Sequence, residues 1–198
     1  LLLSGLGGVN YDMCIDGFGN RYFSSGQDRV IRHSPGQQGY NIVAGGNGRG
    51  SNLDQLNESV GVAVDNAGNV FVADLSNNRI VRWSPGASTG VVVAGSINGT
   101  SGNGLTQLNR PYHIKFDNTG RLYVSDRDNN RIVSYPSSIS TTNTPLMGTI
   151  VAGTSANIQL NGPNTLFIDS LTNMMYVVDN YSNTRIIQYN LSASNIAN

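Results

Sequence analysis

The sequence predicts an all-β fold of four small antiparallel sheets, each of four strands, stacked face to face around an axis. Three observations predict it. A unit of about fifty residues recurs four times, aligned on 20–35, 69–85, 121–136 and 174–190. Each unit holds short runs rich in Val, Ile, Tyr and Phe, separated by clusters of Asn, Asp, Gly and Pro. None of the units shows apolar residues spaced by three and four over a helical length. A four-stranded sheet that is apolar on both faces cannot bury itself alone, so it must pack against copies of itself, as propeller blades do.

The elements follow from the clearest copy. Its runs are Gly61–Asp65, Asn69–Asp74, Arg79–Gly86 and Gly90–Gly95, and the next copy repeats them as His113–Asp117, Arg121–Asp126, Asn129–Tyr135 and Gly148–Gly153. The anchoring aspartates Asp16, Asp65, Asp117 and Asp169 stand 49, 52 and 52 residues apart by subtraction. Asp65-Asn-Ala-Gly68 and Asp117-Asn-Thr-Gly120 suit tight turns, because Asp and Asn bond their own backbone and Gly accepts positive φ. The first copy is degenerate, with Asn10 where a proline is expected, Ser25 in place of Asp74, Asp126 and Asp179, and one residue fewer before Arg29. About six extra residues within Pro136–Pro145 make a polar surface loop, and the fourth copy ends after Tyr189 without its last strand. The repeats are placed at about 9–56, 57–108, 109–160 and 161–198 of one domain covering 1–198, with 1–8 as a candidate outer closing strand.

These residues resemble the NHL-repeat β-propeller family. The pattern of Leu-Asn-x-Pro, an apolar strand ending in Asp, a Gly turn, an aromatic-Val-x-Asp strand and Asn-Arg-Ile stands here as Leu108–Pro111, Asp117, Gly120, Tyr123–Asp126 and Asn130–Ile132, and it recurs in register from about Val9 to Asn190. The resemblance implies a β-propeller of NHL type, whole or part of a larger one, since the family closes with six blades or occasionally five. It identifies a fold rather than a function, because such propellers host enzymes, RNA binders, receptor ectodomains and scaffolds. The first residue is not Met, which fits a fragment or a processed chain. Unpaired end blades would recruit another copy head to tail, into a ring or filament.

Composition bears on compartment and partners. Only 12% of residues are charged, the formal net charge is zero, and Lys115 is the one lysine, so solubility rests on Asn, Ser, Gly and Thr. That surface is more typical of extracellular or cell-surface proteins, and no apolar run reaches the length of a membrane span. Asn57, Asn98, Asn180 and Asn190 open N-x-Ser/Thr sequons and are glycosylation candidates, Asn98 the best because its loop is Gly-rich. Cys14, without a second cysteine, is expected to be an inert buried thiol.

The repeated Asp74, Asp126 and Asp179, each followed by Arg79, Arg131 or Arg185, read as structure, since a feature present in three of the four blades builds blades. Function is sought where repeats differ. Four residues before the anchoring Asp the copies carry Asp12, Gly61, His113 and Thr165, and two residues before it Cys14, Ala63, Lys115 and Phe167. By the two-residue period these share one face of the innermost strand. Asp12, Tyr112, His113 and Lys115 are therefore the candidate ligand-binding residues of an axial face, with inter-blade packing as the alternative role. No catalytic residue is assigned. With only His33 and His113, the zinc cluster of the amidating lyase propellers is not expected, and no metal or other cofactor is. Eleven arginines against twelve acids argue against a nucleic-acid partner, although Arg82, Arg110, Arg121 and Arg127 lie outside the repeat motif. The sequence thus points to a non-enzymatic recognition or scaffold module with a protein or glycan partner. Two alternatives stand beside it: a structural glycoprotein assembling head to tail, and a lyase or hydrolase with an axial site around His113.

Overall fold

The structure is a computed structural model that describes residues 10–138, 142–153, 159–180 and 184–192. It contains four antiparallel sheets in strict chain order. The first joins β1 (Asn10–Ile15), β2 (Arg21–Ser25), β3 (Arg29–His33) and β4 (Asn41–Gly45), and the second β5 (Ser59–Val64), β6 (Val70–Asp74), β7 (Arg79–Trp83) and β8 (Val91–Gly95). The third joins β9 (Pro111–Phe116), β10 (Leu122–Asp126), β11 (Arg131–Tyr135) and β12 (Thr149–Ala152). The fourth has three described strands, β13 (Pro163–Asp169), β14 (Met174–Asp179) and β15 (Arg185–Asn190). The fourth strand of that blade is not among the described residues, and the segment 1–8, the candidate outer closing strand, lies outside them.

The innermost strands set the architecture: β1 packs on β5, β5 on β9, and β9 on β13, while no comparable packing joins β13 back to β1 among the described residues. The four sheets are propeller blades arranged as an arc around one axis. Three apolar layers separate them. Tyr22, Val30, Val62, Val72 and Trp83 fill the first, and Ala63, Phe71, Ile114, Val124 and Tyr135 the second. Tyr123, Ile132, Leu166, Met175 and Val177 fill the third. Strands β6, β7, β10 and β11 are buried along their whole length because each has a neighbouring sheet on both faces. Each fully buried Val or Ile in these layers stabilises the fold by about 1.5–3 kcal/mol, so the β-branched runs of the repeat are what holds the arc together.

Two polar devices recur. Oδ1 of each anchoring Asp caps the turn that follows it: Asp65 accepts the backbone N–H groups of Ala67 and Asn69 at 2.9 Å each, and Asp16 and Asp117 do the same for Phe18 and Asn20 and for Thr119 and Arg121. The second device sits at the opposite end of the sheet. Asp74 accepts the Asn57 N–H (2.8 Å), the Asn77 amide (2.9 Å) and the Arg79 Nε–H (2.7 Å), and Asp126 accepts the equivalent groups of Asn109, Asn129 and Arg131. Arg131 then spends its remaining donors on the carbonyls of Asn103, Gly104 and Gln107, clamping the segment that enters the blade.

The residue before each of these arginines latches neighbouring blades. Asp28, Asn78 and Asn130 are left-handed (φ 55°, 54° and 55°), a conformation that Asn and Asp tolerate best after Gly. Their side-chain oxygens accept the N–H of Glu58, Arg110 and Gly162 in the next blade, at 2.7, 2.9 and 2.8 Å. The degenerate first blade keeps this latch although Ser25 has replaced the aspartate, and there Asp28 Oδ2 also accepts from Arg49 (2.9 Å).

Candidate functional site

The face shared by Asp12, Cys14, Gly61, Ala63, His113 and Lys115 looks toward the next blade, not only into a channel. An innermost strand stands edge-on to the axis, so its two faces point at its two neighbours. Ala63 is buried in the layer between the second and third blades, and Cys14 packs on the layer between the first and second. Burial and the charges of Asp12 and Asp16 push the Cys14 thiol up to about 12 against the opposing Lys115 ammonium, which leaves it unreactive at neutral pH.

Near the axis the strands converge, and there Asp12 and His113 meet. His113 Nε2 lies 3.5 Å from Asp12 Oδ2, although the residues belong to the first and third blades. Gly61 of the second blade makes this meeting feasible: a Cβ there would stand 2.7 Å from the Tyr112 carbonyl oxygen and 2.9 Å from the His113 Cα. Asp12 also accepts the N–H of Val62 at 2.9 Å and of Met13 at 2.8 Å. Its own N–H donates to Ser24 Oγ at 3.0 Å, and the Ser24 hydroxyl donates to the Val60 carbonyl. The carboxylate therefore ties three blades together.

Burial raises the Asp12 carboxyl, but the His113 bond and charge and the two backbone donors outweigh it, and the group sits below the ordinary 3.8. The sign follows: a depressed acid adds stability that is full above 3.8 and lost as pH falls through the lower folded value. The difference in thermal midpoint between wild type and Asp12→Asn is expected to be largest at neutral pH and to shrink as the buffer is taken below 3.8; a constant difference would contradict it.

The structure does not bring all the sequence candidates together. Tyr112 lies on the opposite face of β9, where the Arg127 guanidinium stacks 5.3 Å from its ring centroid. Lys115 is half-buried on the His113 face, one turn of the pleat nearer the capped turns. Of the sequons, Asn98 and Thr100 are exposed, whereas Asn57 is half-buried and its Ser59 is fully buried with its hydroxyl bonded to the Ser25 carbonyl. Asn190 is exposed and accepts the Ser192 N–H, while Tyr181 and Ser182 of the Asn180 sequon lie outside the described residues. Among the described residues no three His, Cys, Asp or Glu side chains gather as a metal site. No described helix is long and apolar enough to cross a membrane. What sequence reading missed is Ser24 and the left-handed latch residues. The latch leaves a trace in the recurring Asn or Asp before Arg.

The family profile of the NHL repeat matches residues 56–83, which are the end of the first connection, β5, β6 and β7. The second blade therefore carries the NHL-repeat pattern. A search of curated proteins gives no significant match. Among solved structures, the chain is similar to one described as a nidogen/laminin complex (22% identity, TM-score 0.64, 93% of this chain and 62% of that one). It is also similar to a structural genomics protein of unknown function from Bacteroides thetaiotaomicron VPI-5482 (14%, TM-score 0.71, 94% and 48%). A third is described as a gluconolactonase from Xanthomonas campestris (14%, TM-score 0.59, 86% and 54%). At these identities the likeness concerns the fold, and the chain spans less than two thirds of the length of each of these relatives, from 48% to 62%.

Proposed function

We propose that this NHL propeller is a non-enzymatic, extracellular recognition or scaffold module whose protein partners engage the outward faces of its first and last blades. The observation that carries the reading is a repeated contact left half-made. In each blade junction a second-strand aromatic, Tyr22, Phe71 or Tyr123, enters the apolar layer shared with the next blade, and Val64, Phe116 or Ile168, just before the anchoring Asp, packs on that layer from the other side. The fourth blade offers Tyr176, stacked with Phe167 at 6.3 Å, and the first offers Ile15. Ile15 is 59% exposed, Phe167 56% and Ile186 70%, which is costly apolar surface unless something covers it. The neighbour described as a nidogen/laminin complex supports a protein as the partner.

The same observation favours a second reading, self-assembly head to tail, because the two end faces are the complementary halves of one contact. Glycosylation at exposed Asn98 would fit either. A third reading, hydrolase or lyase chemistry at Asp12 and His113, draws on that pair and on the gluconolactonase neighbour. Against it, the Asp12 carboxylate is already committed to Val62, Met13 and His113.

Substituting Phe167→Glu or Ile15→Glu tests the proposal by sedimentation. Each is expected to weaken association with a partner or a second copy at least tenfold while leaving the thermal midpoint within a few degrees, since both side chains are exposed. Association unchanged in both variants would sink it.

A further inference from the structure

A cleft of about 430 Å³ opens between the second and third blades on the side of the capped turns, lined by Asp65, Asn69, Arg82, Phe116, Asp117 and Ser137 among others. Arg82 on β7 is only 9% exposed, and its buried Nε–H has no acceptor among the described residues. No carboxylate pairs with this guanidinium among the described residues, and its terminal nitrogens present a planar fork of donors that a carboxylate matches with two parallel bonds. The position is not a blade-building one. Its equivalents are Arg32, Ser134 and Gln188. Arg32 lines the matching, smaller cleft of about 230 Å³ between the first and second blades, where the Tyr22 phenol lies beside it.

The other lining groups narrow the ligand. Asp65 Oδ1 and Asp117 Oδ1 are consumed by turn N–H groups. Among the described residues Asp65 Oδ2 takes only the Asn69 amide (2.7 Å) and Asp117 Oδ2 only the Tyr123 hydroxyl (3.2 Å), so each oxygen keeps capacity for one more donor. With Asp65 and Asp117 lining the same cleft, a phosphate dianion is disfavoured and a negative charge is accommodated only where it meets the guanidinium itself, with hydroxyl donors directed to the two carboxylates. We infer that the Arg82 cleft is a binding site for a hydroxylated monocarboxylate of the sugar-acid class, the carboxylate on Arg82 and the hydroxyl groups toward Asp65 and Asp117. This site is separate from the axial pair and from the blade ends, and stands or falls independently of the proposed function.

The test is titration of the intact chain with D-glucuronate by calorimetry or amide chemical shifts, with D-glucose and acetate as probes lacking one half of the ligand. Saturable glucuronate binding is expected, weakened about tenfold or more by Arg82→Met, which keeps the apolar stem, with glucose and acetate each at least tenfold weaker. Arg82→Lys, which keeps the charge and loses the fork, should also weaken it and carries the test if the Met variant does not fold. No saturation by glucuronate, equal affinity in the Arg82 variants, or glucose binding as well as glucuronate would overturn the assignment. Acetate binding as tightly as glucuronate would overturn the role of the hydroxyl groups.

Discussion

Replacing Arg79 by alanine is expected to destabilise the chain by about 3–5 kcal/mol, a large part of the stability of a domain this size. Arg79 is 1% exposed and its partner Asp74 is fully buried, so the substitution strands a carboxylate that had been matched at 2.7 Å. It also removes the donor that holds the Asn52 carbonyl at 3.1 Å, loosening the connection from the first blade. The comparison that makes the prediction specific is Arg185→Ala. That arginine makes the same pair with Asp179, but it is 52% exposed on the last blade, and although Asp179 is itself buried, loss of the arginine should cost less, about 1–2 kcal/mol. Burial already pushes the Asp74 carboxyl above its ordinary 3.8 against the pull of Arg79 and the hydrogen bonds of Asn57 and Asn77. Without Arg79 it rises further. A raised folded value means that stability falls as pH rises through the window above 3.8, so the Arg79→Ala deficit should be smaller in acid than at neutral pH. Chemical denaturation of both variants at two pH values checks this.

The second large effect is expected at Gly61. Valine or alanine there places a Cβ 2.7, 2.9 and 3.1 Å from backbone atoms of Tyr112, His113 and Ile114, none of which can swing away as a side-chain tip would. Strand β9 must move off β5, at a cost of about 1–3 kcal/mol for alanine and more for valine. The movement also draws His113 from Asp12, so the ring proton resonances of His113 should shift in the alanine variant. Gly17 provides the control: nothing lies within 4 Å of its added Cβ, and Gly17→Ala should be close to neutral.

Much of the fold can be read from the sequence because the repeat states each rule several times. The anchoring aspartates, the Gly turns and the β-branched runs are local chemistry, and their spacing carries over to the strands. The meeting of Asp12 with His113 is also traceable, since both stand four residues before an anchoring Asp. Their contact across an intervening blade is not, because it depends on how closely three strands approach at the axis, and Gly61 sets that. Tyr112 fell outside the pair for a reason the two-residue period supplies: adjacent residues on a strand face opposite sides. The latch made by Asp28, Asn78 and Asn130 escaped notice since a single Asn before Arg looks like turn chemistry until the next blade's N–H is seen to fill its oxygen. Arg82 was visible as an arginine outside the motif, but its burial without an acceptor is a property of the cleft and not of the strand.

The native mass of the chain in solution, measured by light scattering over a wide concentration range, tests the central claim that the end blades are interaction surfaces. Uncovered faces carrying Ile15 on one end and Phe167 and Ile186 on the other predict particles heavier than the 21.1 kDa of one chain, growing with concentration and reverting to single chains in Phe167→Glu. A particle that stays at 21.1 kDa at every concentration, with or without the substitution, would contradict it.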